Sequence, residues 1–271
     1  MMKITSISQQ QKNKERYNIF VAGKYLFSVD EVVLTKYQLF KDRELNESEL
    51  AEIQEEDAIR RGLNKAIQYL AHRVRSEKEI RTHLAKAEME PDEISLVIQR
   101  LAEMKYINDL EFAHLYVRTQ VNTTSKGPRQ IERELVTKGI TREYIEEALV
   151  DFKEDTQLEN AVKLATKIVN RSRKSAKRQL QQKLITELIQ KGYTTDIAKE
   201  ASSIALEDFS EEQEQDVLGE QLGKLLQRNR RLGPAKCRQK TITSLLQKGF
   251  SYDTIQDYMR EHELDFEEEQ D

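Results

Sequence analysis

Three stretches spell one pattern: Leu135-Val-Thr-Lys-Gly-Ile140, Leu188-Ile-Gln-Lys-Gly-Tyr193 and Leu245-Leu-Gln-Lys-Gly-Phe250. Each is followed by a hydroxyl residue and a new apolar run, at Thr141, Thr194 and Ser251. Glycine ends a helix by taking the left-handed cap without a Cβ penalty. Around the first copy, Pro128 suits a helix start. Ile131 and Leu135 share a face, and Tyr144, Ile145, Ala148 and Leu149 rebuild an apolar stripe after the turn. The unit is a small helical hairpin. A worn copy lies at Leu84–Ile94, where Glu88 replaces the glycine and Pro91 opens the next helix. Three ordinary helix stops would not also repeat their flanking apolar positions. A period of roughly 50 residues predicts a mainly α chain built as a tandem helical array.

At 271 residues the chain has room for one or two compact domains or one elongated array. Charged residues make up 34% against 38% apolar, with no Trp, which suits local cores between neighbouring helices. A single cysteine, Cys237, rules out an internal disulfide and fits a reducing cytosol. No signal peptide and no apolar run of membrane-spanning length is read, so the expectation is a soluble cytoplasmic protein with no membrane partner.

The net charge of −4 conceals segregation. From Asn160 to Thr186 there is no carboxylate, against Lys163, Lys167, Arg171, Arg173, Lys174, Lys177, Arg178 and Lys183. From Gln221 to Tyr252 there is again none, against Lys224, Arg228, Arg230, Arg231, Lys236, Arg238, Lys240 and Lys248. Acidic runs lie at Glu207–Asp216 and Glu261–Asp271. A charge run is usually a hydrated face. Here the two acid-free segments fall at equivalent points of successive modules, which line up on one side of a stacked array. That predicts a basic ribbon able to neutralise phosphates or an acidic protein groove.

The opening residues differ from everything after them. Tyr17–Val21 and Tyr25–Val29 flank Ala22-Gly23-Lys24 and predict a β-hairpin, with Ile4–Ile7 as a third strand and Asp30–Lys36 as a short helix. Helical periodicity then divides the chain into an N-terminal hairpin region at 1–45 and three-helix modules at 46–107, 108–153, 154–208 and 209–271, the last with an acidic tail. Asn46 or Ser48 caps the first long helix. Ser76-Glu-Lys-Glu79 is a capping box, and Asn108 or Asp109 caps a later helix.

Catalytic chemistry finds no candidate. The four histidines, His72, His83, His114 and His262, lack partners for a metal site or a triad, and no phosphate-binding glycine loop occurs. His114 is better read as a surface or packing residue. Lys126-Gly127-Pro128 is a helix start whose amides could hold a phosphate, although a loop and a cap is the better reading. No enzyme activity, cofactor or metal is expected.

Ser76-Glu-Lys-Glu-Ile80 with Leu84, Lys105-Tyr-Ile-Asn-Asp109 with Phe112-Ala113, and Lys126-Gly-Pro-Arg129 through Leu135-x-x-Lys-Gly-Ile140 resemble the RecX family of recombination regulators. The resemblance covers roughly residues 58–150 and continues weakly to the C-terminus. It implies a curved, elongated molecule of tandem three-helix modules that binds the RecA filament on single-stranded DNA. It also implies inhibition of strand exchange, ATP hydrolysis and co-protease activity, with roles in homologous recombination, DNA repair and the SOS response. The hairpin region and the additional C-terminal module resemble the long form found in Gram-positive bacteria.

In that setting the residues expected to face RecA or DNA are Lys126, Arg129 and Arg133 in the second module. Arg171, Arg173, Lys174, Lys177 and Arg178 follow in the third, and Arg228, Arg230, Arg231, Lys236 and Arg238 in the fourth. A monomer is expected, occupying the filament groove or capping the growing end. The competing reading is a helical-repeat protein that binds single-stranded or double-stranded DNA directly, without a recombinase partner. It lacks the aromatic pattern of a single-strand stacking platform.

Overall fold

The computed structural model describes residues 1–172 and 175–262. The chain packs as two compact units, one made of Met1–Ala113 with Leu135–Ile145, the other of His114–Glu134 with Glu146 onward.

In the first unit, β1 (Met2–Gln9), β2 (Arg16–Val21), β3 (Lys24–Asp30) and β4 (Glu44–Leu45) form an antiparallel sheet in the order β3-β2-β1-β4. Ala22 and Gly23 both take positive φ, 48° and 74°, between the paired residues Val21 and Lys24. This is the two-residue turn whose twist matches that of the strands. The third strand is where the apolar Ile4–Ile7 run placed it. The fourth strand, only two residues long, carried no periodic signal of its own and exists because Met2 pairs with Leu45.

Asp30 accepts from the Val32 amide at 3.0 Å and so starts α1 (Glu31–Lys36). Ile4, Ile19, Phe27, Val29, Val33, Leu39 and Leu45 close one core with Ile53 of α2 (Glu47–Leu70). Asn46 and Glu49 form the capping box of that helix. Farther along α2, Ile59, Leu63 and Ala66 enter a second core with Ile80 and Leu84 of α3 (Glu77–Lys86) and Ile94, Val97, Ile98 and Leu101 of α4 (Pro91–Glu103). One long amphipathic helix thus serves the sheet with its first turns and a helical module with its last.

Between the sheet and α2 lie two buried carboxylates. Asp57 receives both guanidinium nitrogens of Arg16, at 3.2 and 2.8 Å, and the Asp30 amide at 2.8 Å. Asp30 in turn receives Arg60 and Asn64, both at 3.3 Å. Burial of charge is tolerated here because each oxygen has donors.

The next three helices are α5 (Asp109–Thr123), α6 (Pro128–Thr137) and α7 (Arg142–Leu149). The second unit continues with α8 (Glu154–Arg171), α9 (Lys177–Gln190) and α10 (Thr195–Ala205). Then come α11 (Glu211–Asn229), α12 (Pro234–Gln247) and α13 (Tyr252–Glu261). Helices α8 and α10 pack together, and both bury alanines, Ala161 and Ala165 on one and Ala198 and Ala201 on the other. Leu218, Leu222, Leu225, Leu245, Phe250, Ile255 and Met259 make the last core. Thr194, Ser210 and Ser251 each accept an amide of the following first turn, as the hydroxyl after each turn foretold for Thr194 and Ser251.

Gly139, Gly192 and Gly249 sit at φ of 84°, 97° and 93°, and Glu88 holds the same left-handed position at 61° in the worn copy. The turn therefore survives without glycine there, at a cost of roughly 1–2 kcal/mol.

Candidate nucleic-acid and partner interface

The Lys-Gly turn has a second partner that its local sequence does not show. The turn after α6 meets the start of α3: the Ser76 hydroxyl donates to the Lys138 carbonyl at 2.8 Å, and Lys78 Nζ donates to the Thr137 carbonyl at 3.0 Å. The turn after α9 meets the start of α6, where the amides of Gly127 and Arg129 donate to the carbonyls of Lys191 and Gly192 at 2.8 and 3.1 Å. The turn after α12 meets the start of α9, with a Cβ built on Gly249 lying 3.1 Å from the Gln179 nitrogen. In each case the end of one module's middle helix rests on the first turn of the preceding module's middle helix. Where the joint is made of backbone, free carbonyls at a helix end meet free amides at a helix start, so both sets are satisfied.

This joint decides the role of Lys126-Gly127-Pro128. Two of the amides considered for a phosphate are bonded to the next module's turn. Lys126 also faces inward, its Nζ 2.8 Å from Glu134 and 2.9 Å from Gln120. Burial pushes the Glu134 carboxyl up, but hydrogen bonds from Lys126, Tyr116 and Gln130 outweigh it and hold the pKa below the usual value. The first turn of α3 is filled in the same manner. Asn108 caps α5, freeing Asp109 to accept the Glu77 amide at 2.8 Å. Burial there raises the Asp109 pKa.

The remaining basic candidates among the described residues fall on solvent-facing turns. Arg129 and Arg133 are exposed on α6, with Arg133 Nε also donating to the Arg129 carbonyl at 3.2 Å. Arg171 is exposed in the last turn of α8, and Arg178 in the first turn of α9. Lys177 reaches the Phe209 carbonyl at 3.2 Å and stands 6.0 Å over its ring, while its amide donates to Glu214. Arg173 and Lys174 lie outside the described residues, as does the acidic tail from 263. Arg228, Arg230, Arg231, Lys236 and Arg238 are exposed around the α11–α12 junction, Arg238 donating to Gln256 at 3.2 Å.

One set of residues escaped the sequence reading. Immediately after the buried leucine of each clear copy, Val136, Ile189 and Leu246 are 58%, 39% and 43% exposed. Each of these three modules therefore presents one aliphatic side chain at the same point of its middle helix. The signal was present in the sequence, an apolar pair where a helix stripe needs a single residue.

His114 Nδ1 lies 2.9 Å from Asp151 and Nε2 3.9 Å from Glu147. Among the described residues no group of three or more His, Cys, Asp or Glu is placed to hold a metal ion, and no helix is long and apolar enough to cross a membrane.

Comparison with known proteins accounts for most of the chain. The model of the regulatory protein RecX N-terminal domain matches residues 2–46, and those of the first and second RecX three-helix domains match 63–101 and 108–149. The third three-helix domain matches twice, at 155–201 and 211–259, so the last module is a second copy of the third. A protein named regulatory protein RecX from Listeria monocytogenes serotype 4a is 58% identical over 269 residues, covering 99% of this chain and 100% of the relative. Its namesake from Bacillus subtilis strain 168 is 39% identical over 260 residues, covering 96% and 98%. A crystal structure titled regulatory protein RecX aligns with a TM-score of 0.67 at 33% identity, over 75% of this chain and all of that one. The crystal structure of RecX from Lactobacillus salivarius aligns at 0.52 and 36%, over 55% and 97%. With a family model on the sheet domain and on each of the four helical modules, and a relative 58% identical over 99% of the chain, this chain belongs to the RecX family of regulatory proteins.

Proposed function

We propose that this protein binds the RecA recombinase filament on single-stranded DNA and inhibits its strand exchange, ATP hydrolysis and co-protease activity. The observation that carries the reading is repetition at the surface. The middle helices of the last three modules each expose an aliphatic residue near their C-terminal end, at Val136, Ile189 and Leu246, and the same modules carry solvent-facing cations. A partner that is itself a regular polymer gives each module an equivalent place to bind. Linked weak contacts then act at high effective concentration, so each needs only modest strength.

The working units are the modules at 46–107, 108–153, 154–208 and 209–271. Arg129 and Arg133, then Arg171 and Arg178, then Arg228, Arg230, Arg231, Lys236 and Arg238 meet phosphates or acidic protein. Lys126 and Lys177 contribute by holding helix starts in place. Occupying the groove excludes a second DNA strand or a repressor substrate, and capping the growing end stops extension. The site of action is the cytoplasm, and no catalytic step by this chain is involved.

The test is single-strand-dependent ATP hydrolysis by RecA, titrated with this protein well below one per protomer. Inhibition is expected, and charge reversal of Arg171, Arg178, Arg230, Arg231 and Arg238 to glutamate should abolish it. Full inhibition by that variant would remove the cations from the mechanism. Salt-sensitive binding to naked DNA with no effect on ATP turnover would favour direct nucleic-acid binding instead.

A further inference from the structure

The basic turns explain one sign of charge, but the second unit also carries a cleft of the opposite sign. It measures about 460 Å³ and lies between α8, the end of α10, the connection at 206–210 and α11. Val169, Phe209 and Val217 contribute apolar surface, and Asp208, Asp216 and Glu220 contribute carboxylates. Glu220 pairs with Lys224 one helical turn along, at 3.3 Å with both side chains more than half exposed, a pairing that neutralises little. Asp208 and Asp216 have no ion-pair partner among the described residues.

Lys177, with its Nζ 3.2 Å from the Phe209 carbonyl, and Lys224 stand at the edge. The three carboxylates outnumber them over low-dielectric walls and leave the potential in the cleft negative. A nucleic-acid phosphate is repelled from it. A bare cation would leave the apolar surface unused. The volume is that of a site for a few side chains.

We propose that this cleft docks a short segment of a partner protein that carries lysine or arginine next to aliphatic residues. Its cations face Asp208, Asp216 and Glu220, and its aliphatic side chains cover Val169 and Val217. Resting on the proposed function, that partner is the protein component of the filament. The cleft then contacts protein while the basic turns contact DNA, so that a complex holding both is favoured over either component alone.

A fluorescent 14-residue peptide of leucine and lysine at helical spacing, added to the full chain, is the direct probe. It should bind, whereas a leucine–glutamate peptide and a serine–lysine peptide should not. Asp208→Asn/Asp216→Asn, which adds no charge that could attract DNA, should weaken binding roughly tenfold, and Asp208→Lys/Asp216→Lys should weaken it further. Circular dichroism melts establish that both variants fold. Equal binding by wild type and variants, equal binding of the serine–lysine peptide, or displacement of the peptide by a single-stranded oligonucleotide would each overturn the inference. A second readout separates it from the functional reading. If wild type leaves RecA ATP turnover unchanged, the functional reading fails while the peptide result stands. If wild type inhibits and Asp208→Asn/Asp216→Asn inhibits at the same concentration, the docking inference fails and the functional reading stands.

Discussion

Gly127 and Gly192 touch backbone to backbone: a Cβ on Gly127 would lie 2.5 Å from the Gly192 carbonyl carbon, and one on Gly192 would lie 2.5 Å from the Gln130 nitrogen. Neither obstacle is a movable side chain. Gly127→Ala should therefore destabilise the full chain by about 1–3 kcal/mol in urea denaturation. Gly192→Ala should cost about 1–2 kcal/mol more, because its φ of 97° is unsuited to a side chain. Gly223 lies inside α11 with nothing within 4 Å of a built Cβ, so Gly223→Ala should stabilise by about 0.5–1 kcal/mol. Equal effects at all three positions would dispose of the joint.

Ser76 performs two tasks with one fully buried hydroxyl, accepting from the Glu79 amide at 3.3 Å and donating to Lys138 at 2.8 Å. Ser76→Ala removes a helix cap and strands a carbonyl, for a loss of about 2–3 kcal/mol. Ser76→Thr keeps the oxygen and should recover part of it. Thermal unfolding of the three proteins decides whether the second bond matters beyond the cap.

Glu56 is gripped by both guanidinium nitrogens of Arg100, at 2.7 and 2.8 Å, and by Lys36 at 3.1 Å. The Arg100 hydrogen bonds lead in lowering its pKa to about 2 from 4.5, against burial. Because the folded value is the lower one, the pair's stabilisation is complete above 4.5 and is lost as pH falls through 2. Glu56→Gln should lower stability at neutral pH and flatten the decline between pH 4.5 and 2. Denaturation midpoints measured across that interval would show no flattening if the pair were idle.

Asp57 has the most heavily bonded buried carboxylate of the sheet unit. Asp57→Ala should cost about 3–5 kcal/mol by leaving the largely covered Arg16, then held only by Ser28, without its carboxylate. Replacing both partners, Arg16→Met with Asp57→Leu, should recover most of that loss. A double variant as unstable as the single would mean that the Asp30 amide, which also depends on Asp57, governs the site.

Local chemistry told where helices start and stop. Gly139, Gly192 and Gly249 each end a helix in the left-handed region, and Glu88 does so as the worn copy indicated. The Ala22-Gly23 hairpin and the Ser76 capping box were equally plain, since each depends on residues within a few positions of one another. Strand β4 was hidden because its two residues acquire meaning only by pairing with Lys3 and Met2.

The candidate site divides along the same line. Sequence alone located the two acid-free runs, because charge is a property of single residues. It gave Lys126 the same weight as Arg129, and only packing separated the inward-facing lysine held by Glu134 from the exposed arginine. The acidic cleft was out of reach, since its walls come from residues between Thr166 and Glu220 on several elements.

What the chain determined by itself is the repeating unit, through spacing and cap residues that act over a few positions. What the tertiary structure decided is which turn rests on which helix start, and so which amides and cations are consumed in holding modules together. Those pairings join residues more than fifty positions apart, such as Ser76 with Lys138 and Gly127 with Lys191, and no local preference specifies them.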